Sequence, residues 1–295
     1  MSPQASRARI LATRCASRLN QGKSSMVQPV RNLLATIILV LQVHALHAAV
    51  VYATGFEAPA FTAAQLIDGQ DGWTSRMSSN AGVVSSNQPA SGSQALEFRA
   101  GDLPQFGFGF NLETVRRFLD FDAVAAGSRG VTVAVDVRLN GPLLQDDFVE
   151  AIFSAIDPTF QDYGQMQISA DGHLYIYGSQ FSDTYVGAVS LNVYHRLAMS
   201  IDFMSRETTF AVDDLDLVTF TFDSSLQSNV FRAGSLHMAA PTDPQLANPA
   251  LYTAYFDNFE VQTIPEPSSL ALVASALLLG MASLRRRNLF PPTSD

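Results

Sequence analysis

Acids, histidines and aromatics are the residues of this 295-residue chain whose types could do chemistry. Glycoside hydrolysis would need two carboxylates flanking one bond, roughly 5–5.5 Å apart for retention. Between residues 49 and 264 the glutamates are Glu57, Glu97, Glu113, Glu150, Glu207 and Glu260. In Val212-Asp213-Asp214-Leu215-Asp216, Asp214 and Asp216 share one strand face, but they lack a glutamate and sit where a hairpin turn is expected. They read as solvated turn acids. His173, His195 and His237 are isolated, and none stands in a Gly-x-Ser-x-Gly or His-Glu-x-x-His setting. No Gly-rich loop joins a strand to a helix, so phosphate cradling is out. The reading is non-enzymatic. Sugar recognition instead asks for aromatics at a loop rim with amides and acids to grip hydroxyls. Trp73 and Tyr163 fit, with Gln70, Asp71, Asp162 and Gln165 beside them; the competing role for the single tryptophan is a core plug. Ice binding would ask for repeated Thr-x-Thr, and Thr219-Phe220-Thr221 is a single instance.

Charge divides the chain in three. Residues 1–48 hold six basic side chains and no acid, while residues 265–295 hold Glu266, Asp295 and Arg285-Arg286-Arg287. The middle keeps 9 basic and 25 acidic groups, a net of −16, and contains no lysine. Such a field repels phosphate backbones, which sets nucleic acid aside as a partner. Cys15, the only cysteine, lies in the leader, so a disulfide framework, a catalytic thiol and a cysteine zinc site are excluded for the mature protein.

The leader reads as a secretory signal. Leu33–Leu41 is an uncharged apolar run preceded by Arg31 and followed by small residues at Ala45, Ala48 and Ala49. Cleavage after Ala45 or after Ala48 fits equally, and Met26 as the true start would give a signal of ordinary proportions. At the other end, Pro265-Glu266-Pro267 precedes an uncharged apolar stretch, Leu270 to Leu284, that stops at Arg285-Arg286-Arg287. Three arginines there hold that end on the cytoplasmic side. Motif, apolar helix and arginine cluster in this order resemble the PEP-CTERM sorting signal of Gram-negative bacteria. The resemblance covers about the last 30 residues. It implies recognition by an exosortase, an inner-membrane intermediate, processing near Pro265–Pro267, and delivery to the cell surface or an exopolysaccharide matrix. The tail Asn288–Asp295 is longer than is usual in that family. A plain C-terminal membrane anchor is the competing reading.

From Val51 to Val261 the pattern has period two, with turn residues between the runs. Val131–Leu139 alternates throughout; Asp171-Gly172 joins two runs into a hairpin, as Asp213-Asp214 joins Thr208–Val212 to Leu215–Phe222. Helical patterning is confined to Leu112–Phe118, about two turns. The expected fold is all-β, an antiparallel β-sandwich of jelly-roll type. The expected divisions are a signal peptide over 1–48, a sandwich over 49–263 and a sorting signal over 264–295 with a transmembrane helix at 268–284. Gly55-Phe56-Glu57, Asp68–Trp73 and Tyr255–Val261 resemble the concanavalin A-like, laminin-G-like jelly rolls. That resemblance implies a structural calcium between the first and last strands, with Glu57 and Asp257 at the corresponding ends; the competing role for both is a surface carboxylate beside a turn. It also brings in laminarinase-type hydrolases, whose motif sets a Glu, an Asp two on and a Glu three further on one strand face; no glutamate here has that neighbourhood.

Two functions follow as expectations. One is a sorted structural protein of the surface or matrix; the alternative is a carbohydrate-binding module engaging an exopolysaccharide.

Overall fold

The computed structural model describes residues 48–266, apart from 77–81, 108, 145–148, 179–182, 224, 227 and 244–245. They belong to one compact unit, His47–Glu266. The signal peptide, the 268–284 helix, Pro267 and Arg285–Arg287 lie outside the described residues.

In chain order the strands are β1 (Val50–Thr54), β2 (Trp73–Ser75), β3 (Val83–Ser85), β4 (Ala95–Arg99), β5 (Gln105–Gly107), β6 (Phe110–Asp122), β7 (Ser128–Asn140) and β8 (Glu150–Ile156). There follow β9 (Asp162–Ser169), β10 (His173–Gly178), β11 (Asp183–Ala188), β12 (His195–Asp202), β13 (Glu207–Val212), β14 (Leu215–Thr221), β15 (Val230–Pro241) and β16 (Thr253–Pro265). The only helical turns among the described residues are three short 3-10 segments. The first sheet runs β14-β13-β12-β7-β16-β4-β3, with β1 also on β16; the second runs β11-β10-β9-β8-β15-β6-β2, with β5 on β6. Every pairing is antiparallel.

Alternation decides what is buried. Val131, Val133, Val135, Val137 and Leu139 of β7 point into one core with Phe153 of β8, Met166 and Ile168 of β9 and Leu236 and Met238 of β15. Both sheets feed that core, the arrangement of a β-sandwich. Aromatic rings close the gap between the layers, and Gly234 lets them. A Cβ there would overlap the Phe259 ring, so β15 can seat that ring only without a side chain. Phe259 reaches the core because β16 bulges against β7 between Asp257 and Glu260, with Asn258 at φ 48°. Its ring then stands 5.3 Å from Trp73 and 6.4 Å from Phe153.

Two local expectations change. Leu112–Phe118 is strand, inside β6. Leu112 and Val115 stand at helical spacing, yet Glu113, Thr114 and Val115 are buried in succession, which a one-faced surface helix cannot do. Pairing with β15 on one side and with β2 and β5 on the other accounts for it. An Asp-Gly pair between two strand runs signals a turn with positive φ at both central positions, and here too the geometry differs. The Asp171-Gly172 hairpin places only Gly172 at positive φ (79°), with the Gly172 N–H on the Ser169 carbonyl at 2.9 Å. Asp213 and Asp214, at φ 48° and 66°, are the pair with positive φ at both central positions. Asp213 is held there by accepting from the Arg196 N–H at 2.9 Å.

Candidate functional site

Glu57 and Asp257 anchor one loop. Glu57 accepts from the Ser93 N–H and hydroxyl, both at 2.6 Å, and from the Gln94 N–H at 2.9 Å. Asp257 accepts from the N–H groups of Ala90 (2.9 Å), Ser91 (3.0 Å) and Asn258 (2.7 Å). Burial raises the Asp257 carboxyl to about 6 despite those donors, whereas donors around Glu57 hold it below its ordinary value against desolvation. Three protein donors thus engage each carboxylate. No group of three His, Cys, Asp or Glu gathers as a metal site among the described residues, so the calcium expectation gains no ligand set there.

Trp73 and Tyr163 present no ring to a sugar. Trp73 is fully buried against Phe56 and Phe259, and its indole N–H donates to the Tyr52 hydroxyl at 3.0 Å. Tyr163 packs between Phe203 and Phe222, with its hydroxyl donating to the Ser228 and Val230 carbonyls. Each anchors the core through its polar tip, and both expectations of a glycan-facing ring are corrected. Pro265, expected in the processing motif, is the last residue of β16, paired with Ser128, and Glu266 is exposed just beyond.

The described residues form a different surface on the outside of the second sheet. Strand register lines up Thr74 (β2), Arg116 (β6), Ser235 (β15), Ser154 (β8), Gln165 (β9) and Tyr177 (β10) in one cross-strand row. A parallel row sets Thr114, His237, Ile152, Gln167, Tyr175 and Tyr185 side by side. Five strands from β6 to β10 span about 19 Å at ~4.8 Å per step. Ser235, Ser154, Thr114 and Gln167 are sunk to 2% exposure or less and make a polar floor. The floor is wired: Thr114 Oγ1 lies 2.9 Å from His237 Nδ1, Ser154 Oγ lies 3.0 Å from His237 Nε2, and Gln167 donates to Glu150 at 2.9 Å. Burial, together with the positive charges of Arg116 and Arg76, lowers His237 to about 3, so the imidazole is neutral and shares one donor and one acceptor with two hydroxyls. Asp162 is pushed up to about 6 by burial, although Arg116 and Ser154 favour its charged form.

At the β10–β11 end the rim is aromatic. Tyr185, half-exposed, meets His173 at 4.8 Å and Tyr175 at 6.0 Å between centroids. Asp171 holds His173 through a 2.6 Å contact to Nδ1. Among these residues Gln165 and Asp162 were singled out from sequence only as neighbours of Tyr163, and His173 and His237 only as isolated histidines; the rest of both rows was missed. Spacing of two along each strand is visible in the chain; the alignment between strands is not.

No protein-family model matches the chain, and no curated protein matches it. Solved structures do. A sialidase is 12% identical with a TM-score of 0.44, over 65% of this chain and 17% of its own. A carbohydrate esterase from a Shiga toxin-encoding bacteriophage is 14% identical with a TM-score of 0.49, over 74% of this chain and 100% of its own. The carbohydrate recognition domain of Emp47p is 10% identical with a TM-score of 0.46, over 75% of this chain and 98% of its own. These are likenesses of fold. Against the expectation of a non-enzyme, the structures that resemble it at this level include carbohydrate-active enzymes, and that expectation is withdrawn.

Proposed function

We propose that the chain binds carbohydrate on the outer face of its second sheet, on a jelly-roll scaffold. The carrying observation is the cross-strand row from Arg116 to Tyr177, in which the partly exposed Arg116, Gln165 and Tyr177 lie in line with the buried hydroxyls of Ser235 and Ser154 between a tyrosine rim and an arginine end. Sugars are gripped by polar groups of fixed direction and by ring faces, and this surface supplies both. The wired floor keeps those groups in place before a ligand arrives, which limits the ordering cost of binding.

The test is glycan binding by the full chain and by Gln165→Ala and Tyr177→Ala. Saturable binding that weakens in both variants, with their melting temperatures unchanged, supports the reading. Equal binding by all three proteins would place the ligand elsewhere, and no bound glycan would remove the reading.

For delivery we propose the export route that the two ends resemble: secretion by the leader, a membrane-held intermediate, and exosortase processing near Pro265–Pro267 that leaves the domain at the surface or in the polysaccharide matrix. Its support is the order of motif, apolar stretch and arginine cluster. Replacing Arg285–Arg287 by glutamine should leave the precursor unprocessed in cells. Unchanged processing would count against it.

A further inference from the structure

Three of the nine arginines between residues 49 and 264 gather at one end of the face just described. Arg116 donates through Nε to the Ser235 hydroxyl at 3.2 Å, and its guanidinium lies 5.3 Å from the centre of the Phe160 ring. Arg232 lies over the same ring at 4.5 Å and donates through Nη1 to the Pro158 carbonyl at 2.9 Å. Arg76, exposed just after β2, is tied by its backbone N–H to the Thr114 carbonyl at 2.9 Å. Arg116 is lowered first by burial, then by the charge of Arg76 and less by that of Arg232, against the opposing charge of Asp162, so the three arginines share one field. Its Nη groups have no acceptor among the described residues, and no ion pair there joins Arg116 or Arg76 to a carboxylate. Asp162, Asp157 and Asp120 are the acids in that field, and Asp120 Oδ1 stands 3.9 Å from Arg232 Nε at an exposed position. Asp162 loses charge below about pH 6, and Asp157 is spent on its own loop.

That loop is built to hold Phe160 out. Asp157 accepts from the Thr159 N–H (2.7 Å), the Thr159 hydroxyl (2.8 Å) and the Gln161 N–H (2.9 Å). Phe160 itself is 50% exposed at φ 65°, an unfavourable backbone state for an aromatic residue. A hydrophobic ring kept in water in a strained conformation, with two guanidiniums on it, fixes the direction of those cations. This concentration of positive charge stands in a domain of net −16.

We propose that Arg116, Arg76 and Arg232 receive the anionic substituent of an acidic glycan, a uronate carboxylate or a sulfate ester, at the arginine end of the cross-strand row. The guanidinium fork matches two oxygens of either group, and Arg116, partly buried with no carboxylate at ion-pair distance among the described residues, supplies the pairing that the ligand completes. The inference rests on the carbohydrate reading of this face and names the substrate class.

The full chain is titrated with oligogalacturonate, the same oligosaccharide as its methyl ester, dextran sulfate and dextran. Either acid form should bind at least about tenfold more tightly than its neutral counterpart, and which one does so identifies the anion. Arg76→Gln, on an exposed side chain, and Arg116→Lys, which keeps the charge but loses the fork, should each weaken the acid form without moving the melting temperature. Equal affinity for acid and neutral forms would overturn this inference and leave the carbohydrate reading standing. So would a neutral glycan that Tyr177→Ala abolishes and Arg76→Gln leaves untouched. Failure of every glycan to bind would overturn both.

Discussion

The His237 Nε2 stands 3.0 Å from the Ser154 hydroxyl while its Nδ1 stands 2.9 Å from that of Thr114, so one neutral imidazole bridges three strands of the second sheet. A buried group whose folded pKa is depressed adds stability above its unfolded value of 6.5 and loses it as pH falls towards about 3. By pH 5 that loss amounts to about 2 kcal/mol. His237→Gln keeps a donor and an acceptor without the titration. Its melting temperature should lie below the parent's at pH 7.5 and approach it at pH 5. A gap that stays constant with pH would show that His237 is not held neutral.

Asp162 and Asp257 act in the opposite sense. Each carboxyl is raised to about 6, so the folded state holds a proton that the unfolded chain gives up near its ordinary value. Their contribution is present at low pH and lost as pH rises through about 6. Asp162→Asn should therefore gain on the parent in melting temperature between pH 4.5 and pH 7. Thermal melts across that range decide it, and a difference independent of pH would count against burial as the cause.

Core and site separate at Trp73. Trp73→Phe removes the indole N–H from the Tyr52 hydroxyl and leaves space beside Phe259, which should cost about 2–4 kcal/mol in chemical denaturation. Glycan affinity of the folded variant should not change. A selective loss of binding with stability intact would return Trp73 to the site.

Glu57→Ala strips three donors of their acceptor on the segment 93–94. The expected cost is about 1–3 kcal/mol, with faster hydrogen exchange at Ser93 and Gln94. Added Ca²⁺ that stabilises the parent but not this variant would instead give Glu57 a metal-binding role.

Alternation and turn residues made β7, the β9–β10 hairpin and the β13–β14 hairpin legible in the chain, because those signals are local. The helical reading of Leu112–Phe118 failed where β6 is buried along its length between partners far away in sequence. The same distance hid the site. Arg116 and Ser235 are 119 residues apart, and only the register of β6 on β15 puts them side by side. Trp73 misled for a related reason: the turn residues before it look like a loop rim, while the bulge that brings Phe259 to meet it lies almost two hundred residues further on.

The last strand bears on how this domain would carry load. β16 lies inside the first sheet, hydrogen-bonded to β7 on one side and to β4 and β1 on the other, and it ends at Pro265. A pull on the chain beyond Glu266 runs along the strand, across the direction of its ladder bonds, so many must break together rather than one by one. β1 lies antiparallel beside it, with Val50 opposite Gln262, so chain entry and chain exit share one end of the sheet. A domain tethered by its C-terminal segment while gripping a polymer would thus meet tension as shear on its central strands, the arrangement in which a β-sheet resists extension best.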